Sequence, residues 1–336
     1  MKKNSFWWLK RALLALIFLV AGAVATVLWM LSHPPALTPF EALRWPSATA
    51  PSGTLKVSFL GVATVLLDDG ETALLTDGFF SRPDRMHSLA GTVQPDMDAI
   101  TRGMQRVGIG QHTGKLAAII PLHSHYDHAM DAPEVAKRTG ALLLGSSSTA
   151  MVGRGWGLAE AQIQIAELGK PLRFGKFTVK LYPSVHAPTG FTGGQIDAPL
   201  VPPQRAFAYK EGQSYAVLVE HEGKRVLITG SAGFMPGALK GVKADVVMMG
   251  IGTLGNQSEV YRDTLWNEVI ATTQPRRIIP IHWDDFWIPS DGPMQAMPPP
   301  LDHVDVSLNY LQRRAQEAGM DLRLPMEWAA MDVFFR

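Results

Sequence analysis

The sequence predicts an α/β protein: two mixed β-sheets packed together with helices outside, behind an N-terminal helix long enough to cross a membrane. Three observations predict it. Strand meanders alternate with strand–helix units twice along the chain. The run 116–122 is apolar throughout, 245–249 is apolar after Asp245, and both are too short for a core helix, as expected of strands buried on both faces. Residues 12–31 carry no charge and are apolar on every face. With 46% apolar and 18% charged residues in 336, a packed core is within reach and global disorder is excluded.

The N-terminal run would rise roughly 30 Å as a helix, the thickness of a hydrocarbon core. Lys2, Lys3, Lys10 and Arg11 flank it on one side only. This reads as an uncleaved signal anchor over residues 1–31, with the basic flank in the cytoplasm and the rest on the periplasmic or extracellular side. Ala23-Val24-Ala25 also fits a small-x-small cleavage site, so a cleaved secretory signal is the alternative. The apolar run continues through Leu31, beyond that site, and this favours the anchor. Pro34, Pro35, Pro39, Pro46 and Pro51 mark residues 32–53 as an extended linker lifting the next domain off the membrane.

The folded domain is expected over 54–336. Leu55, Val57 and Phe59 alternate, 62–67 follows as a second strand, and Asp69-Gly70 turns the chain into 73–76. After the buried strand at 116–122, residues 131–138 read as a helix with Asp131 as cap, Glu134 three positions on and Gly140 past its end. Strands are expected at 141–144, 172–174, 177–182, 215–220, 225–229, 245–249 and 277–281. Helices are expected at 259–272, capped by Ser258, and at 306–318. Two long loops, 82–115 with a short helix near 100–107 and the Gly- and Pro-rich 187–212, have the length of functional lids or binding segments.

The chain has no cysteine, which excludes a disulfide scaffold, a zinc finger, an iron–sulfur cluster and cysteine catalysis. Its formal charge is +1, and without the basic N-terminal flank the remainder is weakly acidic. That pattern offers nothing to nucleic acid.

The chemistry concentrates in His123-Ser124-His125-Tyr126-Asp127-His128, which follows a buried strand and precedes a helix. Strand carboxyl ends are where α/β sites gather. His123 and His125, two residues apart in extended backbone, can face one metal; Asp127 and His128, as the chain turns, can face a neighbouring position. Imidazole and carboxylate suit Zn²⁺, with iron and manganese as competitors.

This H-x-H-x-D-H word resembles the signature of the metallo-β-lactamase superfamily, and the resemblance extends over most of the domain. Residues 74–81 resemble the family's first motif, 184–186 its third and Ile281-His282-Trp283 its last. The wording is most similar to the branch containing L-ascorbate-6-phosphate lactonase and N-acylphosphatidylethanolamine phospholipase D. The resemblance implies a four-layer αββα sandwich with one or two metals at one edge. It implies that His123, His125 and His186 hold the first metal and that Asp127, His128 and His282 hold the second. Asp77 would accept a hydrogen bond from a ligand imidazole.

The family's fourth motif ends a strand in Gly-Asp, whose carboxylate bridges the metals; here Gly230 is followed by Ser231. A hydroxyl there removes a negative charge from between two dications, so the second site should weaken and a mononuclear enzyme is one outcome. Asp284 and Asp285 follow His282 closely. One of them is a candidate replacement ligand or proton shuttle; capping of the following segment is the alternative.

A metal with three histidines and an open position lowers the pKa of bound water from about 15.7 to about 7. The expected activity is therefore hydrolysis by zinc-bound hydroxide of an ester, lactone, amide or phosphodiester, with Asp127 orienting the nucleophile or protonating the leaving group. The competing expectation is a metal-binding accessory protein, silenced by loss of the bridging carboxylate at Ser231. Trp156, Phe191, Trp283, Phe286 and Trp287 near the motifs would suit an acyl chain, hence a small-molecule or lipid-like substrate. Arg82, Arg85, Arg102 and Arg106 on the first long loop would suit a phosphate. Residues 250–255 match G-x-G-x-x-G, but without a helix opening on them the match is weak.

Overall fold

A computed structural model of the chain describes residues 3–46, 50, 54–190 and 193–334. Lys2, Pro51 and Phe191 lie outside the described residues. Helix α1, Lys3–Ser32, carries the apolar run; its most apolar window is unburied, and Met30 and Leu31 near its end are half-buried.

The described part of 32–46 is not an extended linker. Its single 3₁₀ turn, Thr38–Leu43, buries Phe40 in the main core. Leu324 N–H donates to Leu43 O at 2.8 Å and Trp45 N–H returns to Leu324 O at 3.0 Å. Arg277 lies 4.7 Å over the Trp45 ring. The prolines restrict this segment without keeping it off the domain, because it has an aromatic anchor to bury. The domain therefore begins before residue 54.

Two hairpin-rich halves follow. Strands β1 (Lys56–Phe59), β2 (Val65–Asp68) and β3 (Thr72–Thr76) form an antiparallel meander through the Asp69-Gly70 turn. Parallel strands β4 (Lys115–Ile120), β5 (Leu142–Gly145) and β6 (Ile163–Ile165) extend it. The second half repeats the plan. β7 (Leu172–Phe174), β8 (Phe177–Ser184), β9 (Ser214–His221) and β10 (Lys224–Thr229) are antiparallel; β11 (Val246–Gly250), β12 (Arg277–Ile281) and β13 (Asp321–Leu322) are parallel. The chain closes with β14 (Ala330–Met331) on β1. Among the described residues these form two seven-stranded sheets. One hydrophobic cluster runs through both, including Phe59, Leu74, Val217, Ile228 and Ile279. The parallel strands read as continuous apolar runs because helices cover their outer face.

The other α-helices among the described residues are α2 (Arg85–Leu89), α3 (Met97–Arg106), α4 (Tyr126–Ala129), α5 (Ala132–Thr139), α6 (Ser147–Gly155), α7 (Glu259–Leu265) and α8 (Val304–Ala318), of which α5, α6 and α8 pack on the parallel strands. α7 runs on as a π-helical turn, Trp266–Ala271, and its Ser258 cap accepts from Tyr261 N–H as expected. Asp131 is not a side-chain cap. The chain is already helical at that residue, and its carboxylate instead accepts from Phe80 N–H, Ser81 N–H and Ser81 Oγ, each at 2.7 Å. It thereby satisfies buried amides that no strand reaches. α6, opened by Ser146 accepting from Thr149 N–H, escapes the periodicity reading because Ser, Thr and Gly dilute its apolar face.

Candidate metal centre

Every motif residue follows the carboxyl end of a strand: Asp77 after β3, residues 123–128 after β4, His186 after β8, Ser231 after β10 and His282 after β12. The two halves thus deliver their side chains to one edge, between the sheets. Two groups form there. The donor atoms of His123, His125 and His186 lie within 4.8 Å of one another, and so do those of Asp127, His128 and His282. His123 Nε2 is 2.9 Å from His125 Nδ1, and His128 Nε2 is 3.2 Å from His282 Nε2. Asp127 Oδ2 stands 3.5 Å from both of the latter nitrogens. The groups adjoin, since the His123 and His128 rings are 3.8 Å apart between centroids.

Imidazole nitrogens aimed at each other in a buried site suit a shared cation and little else. Burial pushes His123 well below the ordinary imidazole range, with the neighbouring imidazoles adding to the effect. Burial lowers His186 as well. Both are held neutral, the form that ligates. His186 Nδ1 is 2.8 Å from Ala187 O, so its Nδ1–H donates there and Nε2 is left as the ligating atom. Burial would raise Asp127, but His128 and His282 outweigh it and keep this carboxyl ionised well below its usual range. Burial would lower His128; the carboxylates of Asp77 and Asp127 reverse that and raise it.

Asp77 occupies the place expected of it. Its Oδ2 is 2.7 Å from His128 Nδ1 and its Oδ1 accepts from Leu122 N–H at 2.8 Å. One buried carboxylate thus fixes both a candidate ligand and the strand end that carries the motif. Burial raises Asp77 itself. Ser231 serves the backbone instead. Its Oγ accepts from Ala187 N–H at 2.9 Å, tying down the residue after His186. Gly233 lets that segment approach, since a Cβ there would lie 1.9 Å from Val185 O.

Asp284 and Asp285 do not join the cluster. Asp284 Oδ1 accepts from Val62 N–H at 2.8 Å and Oδ2 pairs with Arg82 Nη2 at 2.5 Å, fully buried. Asp285 pairs with Arg85 and accepts from Trp287 N–H. The backbone turns at His282, with φ +58°, so the residues after it point away from the ligand ring. The capping alternative holds for Asp285 at Trp287. These pairs also neutralise Arg82 and Arg85. Arg106 donates to Ser290 O, and Arg102 lies 3.9 Å from Asp291.

Of the aromatic residues, Trp156 donates to Glu134 away from the site and Trp283 is core. Phe286 packs 5.8 Å from the His282 ring. Trp287 Nε1–H donates to Tyr126 Oη at 2.8 Å. Residues 250–255 open into a 3₁₀ turn, and Gly252 makes room for the His282 ring, 3.0 Å from where its Cβ would stand.

Glu211 escapes the sequence reading. Its Oε1 accepts from His186 N–H at 3.0 Å and its carbonyl from Ser124 N–H at 2.8 Å, so one residue of the second long loop braces two ligand-bearing segments. Nothing local distinguishes it from any loop glutamate.

The "Beta-lactamase superfamily domain" family model matches residues 74–283, from β3 through the last motif. A metal-dependent hydrolase of Staphylococcus aureus (strain JH9) is 26% identical over 247 residues, covering 72% of this chain and 91% of its own. Among solved structures, the metallo hydrolase Igni18 of Ignicoccus hospitalis covers 84% of this chain and 99% of its own at 15% identity, with a TM-score of 0.51. CmlA, a diiron β-hydroxylase from Streptomyces venezuelae, covers 84% and 54% at 13% identity, with a TM-score of 0.50. These two structural likenesses concern the fold. The family match covers well over half of the chain and contains all but the flanking elements of both sheets, so the chain belongs to the β-lactamase superfamily domain family.

Proposed function

We propose that the chain is a membrane-anchored hydrolase in which His123, His125 and His186 hold a tightly bound divalent metal, and Asp127, His128 and His282 a weaker second one. That it is a metallo-hydrolase rests on its family and on the metal-dependent hydrolase among its relatives. The observation that carries the rest is the pair of adjoining triads, buried but for the half-buried His186 and braced by Asp77. Zinc is the metal the three-imidazole set favours; the diiron content of CmlA keeps iron as the alternative.

A divalent metal held by these residues would supply Lewis acidity and a water activated near neutral pH. The chain supplies the rest. Asp127, kept ionised by two neighbouring imidazoles, accepts a hydrogen bond from the attacking water and orients it. Glu211 and Ser231 fix the His186 segment against motion during turnover. A cavity of about 120 Å³ beside Asp127, walled by Leu89, Tyr126, Phe207 and Trp287, takes an apolar group of the substrate and keeps bulk water off it. Esters, lactones, amides and phosphodiesters all fit this chemistry; the apolar walls favour an acyl-bearing one, in keeping with the branch that includes the phospholipase. α1 is read as the anchor, over residues 1–31, with the domain on the non-cytoplasmic side.

The test is hydrolysis of a panel of chromogenic esters and phosphodiesters by metal-loaded protein, with His123→Ala as control. Turnover that disappears in the control supports the reading. A metal-loaded parent no faster than His123→Ala would leave the accessory, metal-binding role.

A further inference from the structure

Helix α2 connects the cavity beside Asp127 with the end of α1. At one end Arg85 donates through Nη1 to Leu31 O at 3.1 Å. At the other, Ser88 and Leu89 line the cavity with His125 and Asp127. The rise between Arg85 and Leu89 is about 6 Å. A second cavity, of about 470 Å³, is walled by Leu31, Ser32 and Pro34 on the α1 side and by Met86 and Trp287 on the domain side. Trp287 is the partition shared by the two cavities.

The position of α1 in a bilayer is readable from its aromatic residues. Trp7 and Trp8 stand near one end and Trp29 near the other, all exposed. The uncharged run 12–31 rises about 30 Å, the thickness of a hydrocarbon core, with Trp7 and Trp8 just outside its basic end and Trp29 in its last turn, and Trp is the side chain that settles at membrane–water interfaces. Arg11 stacks 3.6 Å over Trp7 at the basic end. Trp29 therefore marks the opposite interface, and Leu31 with its Arg85 partner lies among the headgroups just beyond it. No slack separates helix and domain at this point, because 38–45 is packed onto the domain. Exposed apolar side chains stand at both cavities: Leu89 is 55% and Phe207 45% exposed at the one beside Asp127, and Met86 is 74% exposed at its neighbour across Trp287. Exposed apolar side chains clustered at the mouth of a cavity mark an interaction surface.

We infer that the rim formed by Met86, Leu89 and Phe207 is a bilayer-contact surface, which sets the mouth of the catalytic cavity at headgroup level. This rests on the anchor reading of α1. The partner is the lipid surface itself, and a substrate entering by that mouth is an amphiphile drawn from it.

The test uses the absence of native cysteine, which makes a single introduced thiol unique. Full-length Met86→Cys, Leu89→Cys, Phe18→Cys and Lys176→Cys, each labelled with an environment-sensitive fluorophore, are reconstituted into phosphatidylcholine vesicles containing acyl-brominated lipid. Phe18 is the mid-α1 reference and Lys176, in the β7–β8 turn, the reference remote from the rim. Quenching at 86 and 89 at least twofold above that at 176 is expected. Quenching at 18 with 86 and 89 no higher than 176 overturns the inference. An unquenched label at 18 overturns the anchor reading and the inference with it. Neither result depends on turnover, so neither is confused with failure of the hydrolase assignment.

Discussion

Replacing Asp77 with Asn tests the brace beneath the second triad. Asp77 has φ +53°, a left-handed conformation that Asn tolerates and Ala does not, so the backbone is kept. The amide has one acceptor where the carboxylate has two. If its oxygen keeps Leu122 N–H, its NH₂ faces His128 Nδ1. That nitrogen must then accept, which moves the imidazole proton to Nε2, the atom 3.2 Å from His282 Nε2. A protonated Nε2 does not ligate. If the amide flips, two N–H groups confront each other at Leu122, and a buried unsatisfied donor costs about 1–3 kcal/mol. Either way the second metal should bind about 10–100-fold more weakly, or about 1.4–2.7 kcal/mol. The metal of the His123, His125 and His186 group should change little. Calorimetric titration of chelated protein, parent against Asp77→Asn, separates the two sites. Equal second-site affinities in the two proteins would refute the role given to Asp77.

Other perturbations read other parts of the site. Ser231→Asp keeps an acceptor for Ala187 N–H and adds a negative charge, so the second metal should bind more tightly in the same titration; unchanged affinity would place the side chain out of reach. Gly233→Ala puts a Cβ 1.9 Å from Val185 O, and overpacking of this kind costs about 1–3 kcal/mol, so thermal stability and first-site affinity should fall together. Asp131 is pushed up to about 6 by burial, above the 3.8 of an unstrained aspartate, against the opposing pull of its hydrogen bonds to residues 80–81. Its folded-state proton affinity exceeds the unfolded one, so its stabilising share is complete below pH 3.8 and is lost as pH rises through about 6. Parent protein should therefore lose more stability between about pH 4 and 6.5 than Asp131→Asn, which does not titrate; parallel denaturation curves would contradict this.

The features legible in the sequence are local ones. Three imidazoles and a carboxylate within six residues announce a metal whatever surrounds them, and a strand before with a helix after fixes their place in the fold. The two-sheet plan is legible because strands, turns and βα units recur in the same order in each half. His186 and His282 are single residues whose meaning comes from the short words around them; the structure brings both to the edge where His123 sits. What stays hidden is tertiary. Asp284 and Asp285 look available in the sequence because their partners, Arg82 and Arg85, lie about two hundred positions upstream. The segment after α1 looks extended because the burial of Phe40 depends on strands far along the chain. Glu211 is invisible for the same reason, as its contacts reach back to His186 and Ser124 from a loop with no periodicity.

Two strand-end triads forming one metal centre is the claim on which the rest depends. Anomalous diffraction from crystals of the zinc-loaded protein tests it most directly. A strong peak bonded to His123, His125 and His186 at about 2.0–2.1 Å is expected, with a weaker peak or none at Asp127, His128 and His282. A metal held elsewhere, with neither group occupied, would contradict it; equal full occupancy at both groups would contradict the unequal affinities given to the two sites.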